Sequence, residues 1–391
     1  MFWSPTGGGV RRYVNAKHAW LEAQPGWRHT IAVPAVRGES VEAALPSLPL
    51  PFGNGYRLPL RRGAMARMLV GLLPDVIEAG DPYRVAWAAR DAAERLGVPA
   101  VAYCHSNIVA MARMVGGSRF GSAAARAAQR YARHVYAGFD LVLAPSRSMV
   151  RHLEGWGVAR VACQPLGVDI AAFNPTRRDP TWRARHGIAK EARVLVFAGR
   201  FAPEKHLDVL VDAVHRLGPP YVLVAIGAGP SAPRIDARVK VLPFVSGTAE
   251  LATALASANA FVHAGDQETF GLSVLEAMAC GTAAVVRDAE GLAELVDERT
   301  GIAVQYGTGA AFAEAIAALF TRDAATLAAA ARSRAEALAW EHVFPSLLGH
   351  YQRAIRGEPV TVSAVPVTSP SVPVGIDSSA AGMAPLKHEW Q

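Results

Sequence analysis

Short apolar segments alternate with amphipathic ones along most of the chain. In the first half, apolar runs typical of buried strands lie at residues 30–34, 75–78, 100–104, 141–144 and 160–164. In the second half, similar runs lie at residues 194–199, 221–226, 239–243, 260–263 and 283–286. Segments with helical spacing separate these runs, including a long basic segment at residues 121–136. This alternation predicts an α/β protein with parallel sheets.

The chain divides into two such blocks, and its 391 residues suffice for two domains with full cores. We predict an N-terminal domain over residues 1–172 and a C-terminal domain over residues 191–340. The polar, proline-marked segment between them has no periodicity, which predicts a linker at residues 173–190. Residues 357–391 are rich in Pro, Ser, Val and Gly and are predicted to form a disordered tail.

The net charge of +7 is unevenly distributed. Residues 1–170 contain 20 Lys and Arg against 11 Asp and Glu, whereas the rest of the chain contains 20 against 22. A basic face of this kind can bind an anionic membrane surface or a phosphorylated acceptor, and it can equally be a solvated surface without a partner. Nucleic acid is not expected as a partner, because no basic patch interleaved with aromatic residues is present.

No uninterrupted apolar run reaches the roughly 18–20 residues that a transmembrane helix needs. The first nine residues lack the charged-then-apolar order of a signal peptide. The three scattered cysteines predict neither a disulfide framework nor a zinc cluster, and they fit a reducing compartment. We therefore expect a cytoplasmic protein, and the basic half leaves open a peripheral position at the inner membrane face.

The segment at residues 266–281 carries the strongest chemical signal. Glu268 lies in a predicted loop, and Glu276 lies eight residues later in an apolar helix that Gly281 ends. Carboxylates accept hydrogen bonds from hydroxyls, while the free amides at a helix N-terminus bind an anion. The segment therefore predicts a ligand with hydroxyls and a phosphate, although a glutamate in an apolar helix can also be a structural acid.

Two further predicted strands end in glycine turns. Gly199 ends one strand and is followed by Arg200 and Lys205. Ligands bind at the carboxyl ends of strands in open α/β sheets, where arginine and lysine suit phosphate, but the two can also be ordinary surface cations. Gly227 ends the next strand and would let a base or ribose approach the backbone.

The first half contains two weaker signals. Gly8 and Gly9 form a glycine-rich turn before a helix, which can bind phosphate through backbone amides. His105 ends a buried strand, a position where a histidine is more often structural than functional. No Asp-x-Asp and no metal-spaced cluster of His, Cys and carboxylates occurs in the sequence, so no metal ion is expected.

Taken together, residues 5–356 resemble family 4 of the GT-B glycosyltransferases, the retaining enzymes with a Glu-x7-Glu signature. The resemblance is carried by residues 268–281, by residues 199–205 and by the Pro-Leu-Gly-Val-Asp segment at 165–169, which is similar to the family's Asn-Gly-Val-Asp. It implies two Rossmann-like domains that face each other across a cleft. It also implies that a helix at residues 341–356 returns toward the N-terminal domain.

The resemblance implies a catalytic set formed by His105, Arg200, Lys205 and Glu268. Arg200 and Lys205 would hold the diphosphate, Glu268 would contact the donor sugar, and His105 would lie near the anomeric carbon. It also implies a donor-binding set, in which Glu276 binds the ribose hydroxyls. The other members of that set are Gly8, Gly9, Gly199, Gly227, Phe270, Gly271 and Leu272.

The implied reaction moves a hexose of mannose or glucose type, with retention, from a nucleoside-diphosphate sugar to a lipid or glycan acceptor. The nucleotide sugar is a co-substrate, and the resemblance implies neither a cofactor nor a metal ion. The sequence of residues 268–276 is similar to that of family members that glycosylate lipids, some of which use GDP-mannose. The basic N-terminal half agrees with an acceptor domain that faces a membrane.

Two features depart from the family pattern. Family members usually have a hydrophobic first strand before the glycine turn, so either translation begins upstream of Met1 or the first sheet lacks a central strand. His206 stands where the family often has glycine, which weakens the prediction of the turn after Lys205. Two other readings remain open: a non-catalytic or N-terminally truncated GT-B scaffold that binds a nucleotide sugar, and a GT-B epimerase or phosphorylase.

Overall fold

The computed structural model describes residues 8–34, 43–49, 57–245 and 247–358. Most of the predicted disordered tail, residues 359–391, lies outside the described residues. The chain forms two α/β units. The first contains α1 (Gly9–Glu22), β1 (Ala32–Pro34), β2 (Ala43–Leu45), β3 (Ser47–Pro49), β4 (Arg57–Pro59), α2 (Arg62–Gly71), β5 (Ile77–Ala79), α3 (Arg84–Leu96), β6 (Ala100–Tyr103), α4 (Ile108–Tyr136), β7 (Leu141–Ala144), α5 (Arg147–Gly155) and β8 (Val161–Cys163).

The sheets of the N-terminal unit are short. Strands β5, β6, β7 and β8 form a parallel sheet in that order. Its central strands are continuous apolar runs because helices cover both faces, and Val101 and Val142 are fully buried. Strands β1 and β2 form a separate parallel pair, and β3 and β4 form a separate antiparallel pair.

A cavity of about 700 Å³ lies between β1 and β5, and residues of both strands line it. Strand β1 pairs with β2, and β5 pairs with β6. Among the described residues no strand precedes α1, and the N-terminal sheet is interrupted at this cavity. The position expected for a first strand, ahead of the glycine turn, lies outside the described residues.

The second unit follows a short connection. It contains α6 (Trp182–Arg185), β9 (Arg193–Ala198), α7 (Leu207–Leu217), β10 (Tyr221–Ile226), β11 (Val239–Leu242), α8 (Thr248–Ser257), β12 (Ala260–His263), α9 (Leu272–Ala279), β13 (Ala284–Arg287), α10 (Glu290–Leu295), β14 (Gly301–Val304), α11 (Gly309–Leu319), α12 (Ala324–Glu336) and α13 (Trp340–Ile355). Its six strands form one continuous parallel sheet in the order β11-β10-β9-β12-β13-β14.

The predicted linker is more ordered than its sequence indicated. It contains a 3-10 turn at Pro175–Arg177 and the short helix α6. Asp179 organises the entry to α6, since its carboxylate accepts hydrogen bonds from both the amide and the hydroxyl of Thr181 at 2.8 Å. Trp182 is only 2% exposed. Burial of this one large side chain explains why a polar segment without periodicity still forms a helix.

Helix α13 carries the chain back to the N-terminal unit. The side-chain amide of Gln164 donates to the carbonyl oxygen of Val343 at 2.9 Å, and the rings of Tyr13 and Phe344 lie 5.8 Å apart. The buried core is continuous across the two units through these contacts. No helix in the described part of the chain is long and apolar enough to cross a bilayer.

Candidate active site

The carboxyl ends of β9 and β10 form the base of the candidate site. Each strand ends in a glycine with positive φ, +158° at Gly199 and +152° at Gly227. A Cβ atom on Gly227 would lie 1.9 Å from the carbonyl oxygen of Gly199, so the two turns pack backbone against backbone. This contact requires glycine at residue 227. The predicted approach of a ligand to these glycines remains a prediction.

Lys205 and Glu268, predicted from separate segments, form an ion pair in the structure. Both side chains are mostly buried, at 15% and 21% exposure. His263, at the end of β12, places its Nε2 atom 3.0 Å from the same carboxylate oxygen of Glu268. The amide of Gly265 donates to Nδ1 of His263 at 3.1 Å, so Nδ1 is an acceptor and Nε2 carries the proton that Glu268 accepts.

The electrostatics of this cluster favour an ionised Glu268. Burial raises the pKa of its carboxyl, but the Lys205 ammonium and the hydrogen bond from His263 outweigh that effect and hold the pKa well below its usual range. Glu268 is therefore a fixed anion that accepts hydrogen bonds. Lys205 is held in place by it and faces the carboxyl end of the sheet.

The turn after Lys205 forms without glycine. His206 adopts a left-handed conformation with φ +48°, and its Nε2 atom lies 3.2 Å from Oδ1 of Asp266. The side chain of Arg200 is 64% exposed and contacts Glu204 at 3.4 Å. The structure thus brings Lys205 to Glu268 and leaves Arg200 at the edge of the site.

Helix α9 begins beside this cluster. Its N-cap residue Gly271 has φ +97°, and a Cβ atom there would lie 2.6 Å from Cδ2 of Leu292. The helix dipole places positive potential at the Leu272 end, which favours a bound anion. The side chain of Phe270 is only 5% exposed and packs into the core, so any contact of Phe270 with a ligand would involve its backbone.

Glu276 lies on α9 and meets a residue of the other unit. Arg12 of α1 places Nη2 at 2.5 Å from Oε1 of Glu276, while Oε2 is buried without a hydrogen-bond partner. Burial raises the pKa of Glu276, and the Arg12 guanidinium opposes that increase only in part. The unsatisfied Oε2 is a buried acceptor that a hydroxyl of a ligand can satisfy.

The glycine turn and α1 pack directly on α9. A Cβ atom on Gly9 would lie 2.4 Å from Cδ1 of Leu272, whereas one on Gly8 would meet nothing within 4 Å. Gly9 therefore permits the close approach of the two units. Gly8 has room beside it at the same edge of the cleft.

His105 reaches the same cleft from the end of β6. The hydroxyl of Thr269 donates to the carbonyl oxygen of His105 at 3.0 Å, which connects His105 to the loop that carries Glu268. The imidazole stacks on Tyr103 with ring centroids 4.4 Å apart, and its buried Nδ1 atom has no hydrogen-bond partner. Burial lowers the pKa of His105 to about 4 and outweighs the opposing charge of Glu78, so its ring is neutral at neutral pH.

Two residues of this arrangement were not predicted from the sequence. Arg12 lies three residues after Gly9 of the glycine turn, and His263 ends a predicted strand just before the Glu268 loop. A basic residue after a glycine turn and a histidine at a strand end were the available signals. Neither signal predicts which residue is contacted, because Glu276 and Glu268 lie on other elements.

Comparison with known proteins shows the family of this chain. A family model described as Glycosyltransferase Family 4 matches residues 7–172, and one described as Glycosyl transferases group 1 matches residues 178–337. A GDP-mannose-dependent alpha-mannosyltransferase of Mycobacterium tuberculosis is 34% identical over 304 residues, which are 77% of this chain and 78% of that protein. The chain belongs to the group 1 glycosyltransferase family.

Two further comparisons extend this result. A GDP-mannose-dependent alpha-(1-6)-phosphatidylinositol dimannoside mannosyltransferase of Mycobacterium tuberculosis is 31% identical over 366 residues, which are 89% of this chain and 93% of that protein. The solved sucrose-phosphate synthase of Thermosynechococcus elongatus has a TM-score of 0.70 at 20% identity and covers 90% of this chain and 95% of its own. The predicted GT-B fold is confirmed. This glycosyltransferase is an enzyme of the hexosyl-transferring class, and it uses a nucleotide sugar.

Proposed function

We propose that this glycosyltransferase transfers mannose from GDP-mannose to a lipid-linked acceptor with retention of configuration and without a metal ion. Two relatives that cover most of the chain are named as GDP-mannose-dependent, and one of them is named for a phosphatidylinositol dimannoside acceptor. A glucose-type donor and a glycan acceptor are the alternatives within the same class of reaction.

The observation that carries the proposal is the cluster of Lys205, Glu268 and His263 beside the N-terminus of α9. A hexose hydroxyl can donate to the ionised Glu268, while the diphosphate lies against Lys205 and the first amides of the helix. Glu276 supplies a buried acceptor one turn further along the helix, at a position suited to ribose hydroxyls. A nucleoside-diphosphate hexose has all three of these groups in one molecule.

In the proposed reaction the bond between the anomeric carbon and the β-phosphate oxygen breaks, and the acceptor oxygen bonds to the same face of that carbon. The proton of the acceptor hydroxyl passes to the leaving phosphate oxygen, so no protein side chain is needed as a general base. Lys205, Arg200 and the dipole of α9 stabilise the negative charge that develops on the leaving diphosphate. The neutral ring of His105 can hydrogen-bond near the anomeric carbon without adding a charge.

The cationic side chains of Lys205 and Arg200 also support the proposed independence from metal ions. They place positive charge on the diphosphate side of the site, where other sugar-nucleotide enzymes use a bound cation. We therefore expect full transfer activity in the presence of EDTA. A strict requirement for Mg²⁺ or Mn²⁺ would contradict this part of the proposal.

The proposal is tested by a panel of UDP-, GDP- and ADP-sugars, each assayed in EDTA. We expect selective thermal stabilisation by GDP-mannose and slow release of mannose in its presence. Mannose transfer to a phosphatidylinositol mannoside, with an α-linkage in the product, would establish the acceptor class and the stereochemistry. Stabilisation by a different nucleotide sugar would correct the donor, and binding without any turnover would contradict the proposed reaction.

A further inference from the structure

Helix α4 forms a projecting tip on the N-terminal unit. Gly117 interrupts the helix with φ +59° and ψ −163°, so its two arms meet in a tight turn. A Cβ atom on Gly121 would lie 2.6 Å from the carbonyl oxygen of Arg113, and one on Gly116 would lie 2.8 Å from the Cα atom of Gly121. The two arms therefore touch backbone to backbone, and residues 111–120 form what we call the α4 tip.

The α4 tip exposes large apolar side chains to solvent. Val115 is 85% exposed and Phe120 is 70% exposed, while Met111 and Met114 are 42% and 40% exposed. Single exposed apolar residues are normal on a protein surface, but four within ten residues of a protruding turn form a patch, which marks an interaction site. The most exposed side chains lie beside a tight turn of the backbone, which is suited to insertion into a partner.

The charges around the α4 tip have one sign. Arg113 and Arg119 lie within it and are exposed, and Arg126, Arg130 and Arg133 follow on the second arm. No Asp or Glu occurs between Glu94 and Asp140 in the sequence. A helical hairpin whose exposed charges are all basic, and which also exposes apolar side chains, is complementary to an anionic lipid surface with an apolar interior.

We propose that the α4 tip docks this enzyme on an anionic lipid bilayer, with Val115 and Phe120 inserted below the headgroups and Arg113 and Arg119 bound to lipid phosphates. The inference rests on the proposed lipid-linked acceptor, since docking brings the enzyme to that substrate. The first arm begins at Ile108, next to His105, and eight helical residues span about 12 Å. The tip therefore lies about 12 Å along the first arm from the residues beside His105, so docking of the tip brings the cleft close to the lipid surface.

Vesicle sedimentation of the full chain tests the docking surface. The probes are vesicles of phosphatidylcholine alone and of phosphatidylcholine mixed with phosphatidylglycerol, at low and high salt. We expect binding only to the anionic vesicles and weaker binding at high salt, because each arginine at the surface contributes roughly a five-fold increase in partitioning that salt screens. Val115→Ser combined with Phe120→Ser, and Arg113→Gln combined with Arg119→Gln, should each lower partitioning at least ~10-fold.

Matched variants on the C-terminal unit serve as controls. Ile235 and Tyr306 are 69% and 66% exposed, so Ile235→Ser combined with Tyr306→Ser removes a similar apolar surface. Arg178→Gln combined with Arg234→Gln removes the same charge from exposed positions. Both control pairs should sediment like the unaltered chain. Equal losses in the tip and control variants, or no binding of the unaltered chain to anionic vesicles, would overturn the proposal.

Two measurements separate the membrane-docking inference from the proposed function and from self-association of the chain. Thermal stabilisation by GDP-mannose, measured without vesicles, should be unchanged in all tip variants; its absence from the unaltered chain would contradict the proposed function and not the docking surface. Size-exclusion chromatography tests a second copy of the chain as the occupant of the tip. Dimers that Val115→Ser and Phe120→Ser abolish, together with no vesicle binding, would overturn membrane docking.

Discussion

Both units of this glycosyltransferase contain parallel strands and helices, but they differ in the continuity of the sheet and in its packing. The C-terminal unit has one unbroken sheet of six parallel strands, and its central residues Leu223 and Val285 are fully buried. The N-terminal unit has its strands in separate sheets, with a cavity of about 700 Å³ between β1 and β5.

The interiors also differ in polarity. The core of the C-terminal unit beside β9 and β10 is apolar, and its ionisable groups gather at the carboxyl edge where the donor is proposed to bind. In the N-terminal unit the buried Lys17 pairs with Glu78 at 2.6 Å, and Tyr351 donates to the other oxygen of Glu78 at 2.5 Å. The comparison indicates a preorganised half, where the donor is proposed to bind, and a less tightly packed half, where the acceptor is proposed to bind.

The largest expected effect is on the preorganised half. Lys205→Ala removes the cation that faces the proposed diphosphate, and we expect kcat/KM for sugar transfer to fall at least ~10²-fold with the fold intact, as for the loss of one transition-state donor. Glu276→Ala should lower kcat/KM by a similar factor, because the proposed acceptor of the ribose hydroxyls is removed. Lys190→Ala, which removes an exposed lysine from the same unit, is the matched control. A near-normal rate in either site variant would remove that residue from the proposed site.

The second effect concerns the acid stability of the N-terminal unit. Burial lowers the pKa values of His29 and His105 to about 4, whereas an unfolded histidine titrates near 6.5. Between these values the unfolded chain binds more protons, so the free energy of unfolding falls as the pH is lowered from about 6.5 to about 4. His29→Gln should reduce this slope.

Urea unfolding at a series of pH values measures that slope. His342→Gln, which replaces an exposed histidine of the C-terminal unit whose Nδ1 lies 2.8 Å from the carbonyl oxygen of Glu336, is the matched control. If both variants alter the slope equally, the acid sensitivity does not belong to the N-terminal unit and the comparison fails.

Much of the fold could be predicted from the sequence. The strands at residues 141–144, 221–226 and 260–263 have the same bounds in the structure, because parallel strands buried on both faces are continuous apolar runs. Strand β14 was not predicted, since its four residues begin with glycine and only the first and last of them are buried. The kink of α4 was also missed, because a left-handed glycine inside a helical pattern has no periodic signal.

The candidate site was predictable only within each segment. Lys205 and Glu268 could be assigned to one edge of the sheet because both follow strands of the same unit. The contact of Arg12 with Glu276 depends on how α1 docks on α9, and the hydrogen bond of His263 to Glu268 depends on the path of the intervening loop. Neither arrangement has a fixed spacing along the chain.

Arg12 allows a finer test of how the two units cooperate. Its guanidinium is the charge that opposes the burial of Glu276, so Arg12→Gln should raise the pKa of that carboxyl further. Since the ionised carboxylate is the form proposed to accept ribose hydroxyls, the acid limb of GDP-mannose binding should move to higher pH. Calorimetric titration across pH measures this shift, with Arg11→Gln as the neighbouring control. An unchanged limb would show that Arg12 does not act through Glu276.

The smallest effects compare the packing of the two sheets with one substitution. Val33 lines the cavity in β1, whereas Val285 is fully buried in the continuous sheet. Val33→Ile adds a methylene where space exists and should raise the free energy of unfolding by about 0.8 kcal/mol. Val285→Ile overfills a packed position and should lower it by about 1–3 kcal/mol. Urea unfolding of both variants measures the two changes in the free energy of unfolding. If both variants are destabilised, the cavity between β1 and β5 does not accept added side-chain volume.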